Sequence, residues 1–455
     1  MKLTRRAVQH LFLRAGFGAL PAELDRWEGK DVEDLVDHLF NESEQIEDLN
    51  LIPDPLKGRA EVSNFRVLAM ILRSGPEMQN LNFHWLYRMV ESRACLREKA
   101  TLFWHGHFAT SAPFSYLMQG QNNFLRRHAL GSFRDLLHGI AQDPAMIIYL
   151  NNQENHKDHP NENFAREVME LFTLGIGNYT EHDIREAARA FTGWKVNRKG
   201  KFEIIDTDHD TGTKVVLGKT GPLNGTEVLD LLLAHPALPD FLSGKLLRFY
   251  FHPNPSAERI REIAVVLQEY NFHVGKTLRH LFTRDWFYDA SVIGSMIAAP
   301  VPLLVRMIRY FGIEFERGET LLRLQQNLGQ TLFFPPNVAG WKGHRDWIDS
   351  ASLLLRLSLA DRFLRERALT ARGRPEFEET SQKKLQEEAI ARITARFEIP
   401  EKAYGAQTPD TWIDALSRDL LTTDLSSITR KALPTPATLK DACIAVCSLP
   451  EFQLV

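Results

Sequence analysis

Apolar residues recur along most of the chain at the three- and four-residue spacing of a single helix face. A clear case lies in the segment 162–194, where Phe164, Val168, Leu171 and Leu174 follow this spacing. Such a period is the main sequence signal for an amphipathic helix. The pattern therefore predicts a mainly α fold, a multi-helical orthogonal bundle.

The segment 161–194 predicts two helices joined by a tight turn. Gly175 and Gly177 are expected to end the first helix, because glycine adopts a left-handed C-terminal conformation at the least cost. Thr180, followed three residues later by Asp183, predicts the N-terminal cap of the second helix.

One segment departs from the helical spacing. Between 194 and 225 the chain is rich in glycine, and apolar residues such as Phe202 and Ile204 alternate with polar ones. Alternation with a period of two is typical of short strands. We expect a small inserted β-hairpin here, and no other β structure in the protein.

The composition changes after Leu364. Residues 365–388 are highly charged and poor in large aliphatic side chains, the profile of a solvated helix or linker. We therefore expect a helical main body over residues 1–365, and a charged linker with a C-terminal helical part over residues 366–455.

Charge and cysteine content exclude some classes of protein. The 55 basic residues are balanced by 58 acidic ones, which gives a net charge of −3 and no reason to expect a nucleic-acid partner. The three cysteines do not make a disulfide scaffold, and Cys443 and Cys447 lack further zinc ligands nearby.

The N-terminal segment has one feature of an export signal but lacks another. Arg5 and Arg6 form a twin arginine, but His10 and Arg14 interrupt the apolar run that must follow in such a signal. No stretch reaches the roughly 18 apolar residues of a transmembrane helix. We expect a cytoplasmic protein without a transmembrane segment, with export as the alternative.

Charged residues are regularly spaced on both helices of the central hairpin. They can pair across the two helices in a partly buried network, form an ordinary solvated face, or line an active site. In the active-site interpretation, Glu167 or Glu170 is the general base, and Arg166 or Arg189 holds an anionic group of the substrate. The residues expected in the buried network are Arg166, Glu167, Glu170, Arg185, Glu186 and Arg189.

Two histidine-containing motifs indicate a candidate metal site. His105 and His107 flank a glycine at the end of an apolar helix, and His209 with Asp210 lies in the β insertion. Imidazole and carboxylate ligands together suit zinc, iron or manganese. The alternative is that these histidines bond helix-end carbonyls and that the aspartate stabilises a turn.

A long aromatic loop follows residue 328. Trp341 and Trp347 in this loop can form the floor of a pocket, or they can hold the loop against the core by packing.

Six stretches together carry a recognisable pattern: FWHGHFATS (103–111), QNNFLRRHALGSFRDLL…DPAM (121–146), ENFAREVMELFTLGIGNYTEHDIREAARAFTGW (162–194), HDTGTKVVLG (209–218), LGQTLFFPPNVAGW (328–341) and SLPEFQ (448–453). They resemble the large bacterial family called domain of unknown function 1800. The resemblance implies little about activity. Members of that family are commonly encoded beside a sulfatase-like protein, which makes such a protein the implied partner.

Two functional hypotheses follow. The first is a metal-dependent enzyme, a hydrolase or oxidoreductase, that uses the histidine and carboxylate site. The second is a non-catalytic helical scaffold or binding protein that acts with a partner protein.

Overall fold

The computed structural model describes residues 1–58, 62–366 and 393–455, and it confirms the mainly α class. The described residues form twenty-one α-helices. The first ten are α1 (Arg5–Ala15), α2 (Pro21–Trp27), α3 (Val32–Glu42), α4 (Asn64–Glu91), α5 (Cys95–His107), α6 (Ser115–His128), α7 (Phe133–Ala141), α8 (Pro144–Tyr149), α9 (Asn163–Glu167) and α10 (Glu181–Ala190). The others are α11 (Gly225–Ala234), α12 (Leu238–Tyr250), α13 (Ala257–Glu269), α14 (Val274–Phe282), α15 (Pro300–Phe311), α16 (Gly318–Leu328), α17 (Ser350–Leu364), α18 (Glu398–Tyr404), α19 (Pro409–Leu420), α20 (Ser427–Ala432) and α21 (Leu439–Cys447).

The strands of the described residues form three two-stranded antiparallel pairs. Two lie in the predicted insertion: β1 (Trp194–Val196) with β2 (Phe202–Ile204), and β3 (Lys214–Val216) with β4 (Lys219–Gly221). The third pairs β5 (Ile313–Phe315) with β6 (Ile393–Ala395). The expectation that all β structure lies between 194 and 225 was therefore wrong, because strands of three residues that pair over a long sequence separation give almost no periodic signal.

The central hairpin has the predicted end signals. After α9 the chain continues as a π-helical turn, Val168–Leu174, and then passes through Gly175 with φ of 76°. The side chains of Thr180 and Asp183 form a reciprocal capping box at the start of α10. Phe164 and Phe191 meet edge to face between the helices, with ring centroids 5.0 Å apart.

Two apolar clusters form the core. One draws on residues between Leu3 and Val292, and the other on residues between Phe17 and Phe452. The second cluster includes Val301 of the main body together with Cys443 of the C-terminal part. The division at residue 365 stays a prediction, and most of the expected linker lies outside the described residues.

No helix in the described ranges is both long enough and apolar enough to cross a membrane.

Candidate anion-binding cleft

A cleft of about 580 Å³ opens where α1, α5, α12 and α15 meet the aromatic loop. Its apolar walls include Phe17, Phe103 and Phe249. Trp341 and Trp347 of the aromatic loop also line it. The pocket interpretation of that loop therefore has a physical basis in the fold, and Trp341 also packs against the ring of His105.

Five basic side chains line the cleft: Arg14, Lys99, Lys245, Arg248 and Arg306. Among the lining residues that the structure describes, none is an aspartate or glutamate. Val455 also lines the cleft, and within the described ranges no ion pair joins any of the five cations to a carboxylate. The cleft is therefore an electropositive site.

Arg14 enters the cleft from the last turn of α1 and is 2% exposed. Its Nη2 atom donates to the carbonyl of Val292 at 3.1 Å and to the hydroxyl of Ser295 at 3.3 Å. Its buried Nε and Nη1 atoms have no hydrogen-bond partner in the part of the chain that the structure describes. Burial lowers the pKa of this guanidinium to about 9, so it is still charged at neutral pH.

Arg306, on α15, is also buried, and none of the residues that the structure describes is an acidic partner for it. It donates to the carbonyl of Leu420 and, at 3.3 Å, to that of Phe452, while its Nε atom has no partner. The guanidinium lies 4.1 Å from the centroid of the Phe452 ring. Burial lowers its pKa to about 10.

Lys99, on α5, lies in the same cleft and is 6% exposed. Its Nζ atom donates to the carbonyl of Leu13 at 3.2 Å. The faces of Phe17 and Phe249 lie 5.3 and 5.7 Å from this atom. Burial, with a further contribution from the charge of Arg14, lowers the pKa of Lys99 to about 7.

The two predicted metal ligands on α5 are oriented by single backbone bonds. His107 lines the cleft, its Nε2 atom donates to the carbonyl of Phe172 at 3.1 Å, and its buried Nδ1 atom has no partner. His105 instead accepts the N–H of Phe333 at its Nε2 atom, and its ring packs against Trp85. Burial lowers the pKa of both imidazoles to about 3, so both are neutral.

The other two predicted ligands have partners of their own in the β insertion. The Nδ1 atom of His209 donates to the carbonyl of Thr192 at 2.9 Å, and Asp210 pairs with Arg189, whose Nε atom lies 2.7 Å from its carboxylate. Over the described ranges no group of three or more His, Cys, Asp or Glu residues is arranged to hold a metal ion. The metal centre stays a prediction.

The charged residues of the central hairpin do form ion pairs, but they lie nearer the surface than expected. Arg166 pairs with Glu181 across the hairpin at 2.7 Å and with Glu162 at 3.1 Å, yet its side chain is 35% exposed. Arg185 is exposed. The expectation that these charges are mostly buried was wrong, because a helix that packs through its apolar face leaves the charged face beside solvent.

The predicted general bases lie on the same partly exposed face. Burial raises the pKa of Glu167, and the nearby charge of Glu170 adds to the effect. Glu170 accepts a hydrogen bond from the hydroxyl of Tyr179. Their assignment as catalytic residues stays a prediction.

Sequence reasoning missed the residues that make the cleft basic. Arg14 and Arg306 stand in the largely apolar helical runs LFLRAGF and LLVRMIRY, whereas Lys99 directly follows Arg97 and Glu98 in REKATLFW. The available signal was a basic residue at a position that the helical spacing marks as apolar; for Lys99 it lay only in its spacing of three residues from Leu96 and four from Phe103.

The fold and the cleft define a multi-helical protein with an electropositive, aromatic-walled pocket. The chain belongs to the family described as "Protein of unknown function (DUF1800)", whose family model matches residues 10–454. No curated protein and no solved structure was found to match the chain.

Proposed function

We propose that this protein binds an anionic ligand with an apolar body in the cleft between α1, α5, α12 and α15. The observation that carries the proposal is the burial of Arg14, Lys99 and Arg306 without an acidic partner within the described residues.

Burying a charge without a compensating partner raises the free energy of the folded protein. Removing a cation from water costs several kcal/mol even after relaxation, and proteins normally offset that cost with a carboxylate and further hydrogen bonds. Within the described residues, the guanidinium groups of Arg14 and Arg306 are bonded only to neutral oxygens. Two nitrogen atoms of Arg14 and the Nε atom of Arg306 have no partner there. A bound anion would supply both the missing charge and the missing acceptors.

The shape and lining of the cleft restrict the ligand further. Arginine presents a planar fork of donors that matches a carboxylate, phosphate or sulfonate. The volume of about 580 Å³ lies within the usual range for small-molecule sites. Phe17, Phe249 and Trp341 offer apolar surface to the rest of the ligand.

This proposal favours the binding-protein hypothesis of the sequence analysis over the metal-dependent enzyme. It rests on the cleft alone and uses neither the ion pairs of the central hairpin nor the β insertion. The sulfatase-like partner implied by the family resemblance stays a prediction.

The test is fluorescence titration with two matched probes. Anilinonaphthalene sulfonate carries an anion on an aromatic body, and N-phenyl-1-naphthylamine lacks the anion. We expect the sulfonate to bind wild type and to bind Arg306→Met about tenfold more weakly, the loss of one charge-assisted hydrogen-bonding group. The neutral probe should bind both proteins equally.

Arg309→Met is the matched control. Arg309 also lies on α15, but Glu23 already compensates its charge at 2.7 Å, and it does not line the cleft. This variant should bind the sulfonate like wild type. Equal affinity of the sulfonate for wild type and Arg306→Met would contradict the proposal.

A further inference from the structure

We propose that Lys99 is a nucleophile that captures a carbonyl group of the bound anion as an imine. The ligand class is then a carboxylate that also carries a ketone or aldehyde, such as a 2-oxo acid with an aromatic or aliphatic side chain. This inference rests on the proposed anion site.

The position of Lys99 carries the argument. Its amine lies in the cleft, has a single protein acceptor in the carbonyl of Leu13, and has no ion pair within the described residues. The aromatic faces of Phe17 and Phe249 keep water away from it. A lysine becomes nucleophilic when it is desolvated in an apolar pocket or lies beside another cation, and Lys99 meets both conditions through its burial and through Arg14.

The charge balance is compatible with a bound anion. A single carboxylate would neutralise only one of the two guanidinium groups of Arg14 and Arg306. The neighbourhood of Lys99 would thus keep a net positive charge, which favours the neutral amine in the complex as well. Burial has already lowered the pKa of Lys99 to about 7, so a large fraction of the amine is unprotonated near neutral pH.

Formation of the imine requires no reactant other than the Lys99 amine and the carbonyl group of the ligand. The lone pair of the Lys99 Nζ atom attacks the carbonyl carbon and forms a carbinolamine. The two amine protons and the carbonyl oxygen then leave as one water molecule, and the C=N bond forms. The adduct has the mass of protein plus ligand minus water, and no oxidant or reductant is consumed.

Lys214 is the matched control outside the cleft. Its side chain is also buried and burial lowers its pKa, but its Nζ atom donates to the carbonyls of Asp210 and Gly212 and it does not line the cleft. Lys214→Met thus removes a second buried amine and leaves Lys99 and the rest of the cleft in place.

The experiment is reductive trapping with phenylpyruvate and cyanoborohydride, followed by peptide mapping. We expect one reduced adduct on Lys99 in wild type and in Lys214→Met, and none at this position in Lys99→Met or Lys99→Arg. At pH 7 labelling of Lys99 should exceed that of a surface lysine on the order of a hundredfold, because a surface lysine has a pKa near 10.4 and is almost wholly protonated. Circular dichroism would establish that the variants are folded.

Phenyllactate separates the two proposals, because it has the same carboxylate and ring but no carbonyl. If phenyllactate displaces anilinonaphthalene sulfonate and Lys99 is not labelled, the imine is wrong and the anion site stands. If labelling is spread evenly over surface lysines, or persists unchanged in Lys99→Met, the inference is likewise overturned. If neither the sulfonate nor phenyllactate binds, both proposals fail together.

Discussion

Arg126 and Glu98 form a bidentate ion pair that is closed off from solvent. The Nε atom of Arg126 donates to one carboxylate oxygen of Glu98 at 2.7 Å, and Nη2 donates to the other at 3.2 Å. The two side chains are 1% and 3% exposed. Glu98 also accepts from the indole of Trp85 at 2.9 Å, and Arg126 donates to Asn123 at 3.0 Å, so the pair joins α4, α5 and α6.

Breaking this pair should be strongly destabilising. Arg126→Met leaves the Glu98 carboxylate buried without its cation, and we expect the free energy of unfolding to fall by about 3–5 kcal/mol. Denaturant unfolding followed by circular dichroism measures this change. The double variant Arg126→Met/Glu98→Gln should recover part of the loss, and a loss below about 1 kcal/mol in the single variant would contradict the buried-pair argument.

Arg166 should behave differently, because its ion pairs lie at the surface of the central hairpin. We expect Arg166→Ala to lower the free energy of unfolding by about 1 kcal/mol or less, which is the range of exposed pairs. The same denaturant experiment gives the comparison with Arg126. A loss of 3 kcal/mol or more would show that the hairpin charges act as a buried network after all.

Arg14→Met should weaken ligand binding without weakening the fold. The variant removes a buried charge that lacks an acidic partner, so its free energy of unfolding should equal that of wild type or exceed it by up to about 2 kcal/mol. Saturating anilinonaphthalene sulfonate should raise the Tm of wild type and leave that of the variant nearly unchanged. A variant that is less stable by several kcal/mol would mean that Arg14 is chiefly structural.

The lowered pKa of Lys99 predicts a specific dependence of stability on pH. Between about pH 7 and pH 10.5 the unfolded chain holds a proton on this lysine that the folded protein lacks. Stability attributable to Lys99 therefore rises with pH across that window, by up to roughly 4 kcal/mol.

The measurement is the free energy of unfolding of wild type and Lys99→Met at several pH values. The difference between the two proteins should shift in favour of wild type as the pH rises from 7 to 10.5. The free energy of unfolding of Lys245→Met, measured at the same pH values, provides the comparison with a second lysine of the cleft. Parallel curves for wild type and Lys99→Met would mean that the ammonium group is not desolvated in the folded protein.

The cap and turn signals around the central hairpin illustrate what local sequence can predict. Thr180 and Asp183 are only three residues apart, and Gly175 adopts the positive φ angle that the chain requires at that position. Helical spacing is equally local, because it depends on residues within one or two turns of each other. The helical class and the β insertion near 194–225 follow from the same short-range signals.

The pairing of β5 with β6 is a feature that such short-range signals do not predict. Ile313 and Ala395 are register partners although some eighty positions separate them in the chain. A three-residue strand has too few positions to display a period, and its partner is selected by the packing of the whole domain. The packing of the whole domain also determined how exposed Arg166 is, because it determined which face of the central hairpin is covered by other elements.

By itself, the sequence determined the helices, their caps and the inserted hairpin, because these depend on contacts between residues close in the chain. The tertiary structure decided which charged side chains form ion pairs and which are buried away from opposite charges. It paired Arg126 with Glu98, and it gathered Arg14, Lys99 and Arg306 from three helices into one aromatic-walled cleft. The charge of a side chain is visible in the sequence, but its solvation and its partners are set by residues on other helices that lie far from it in the chain.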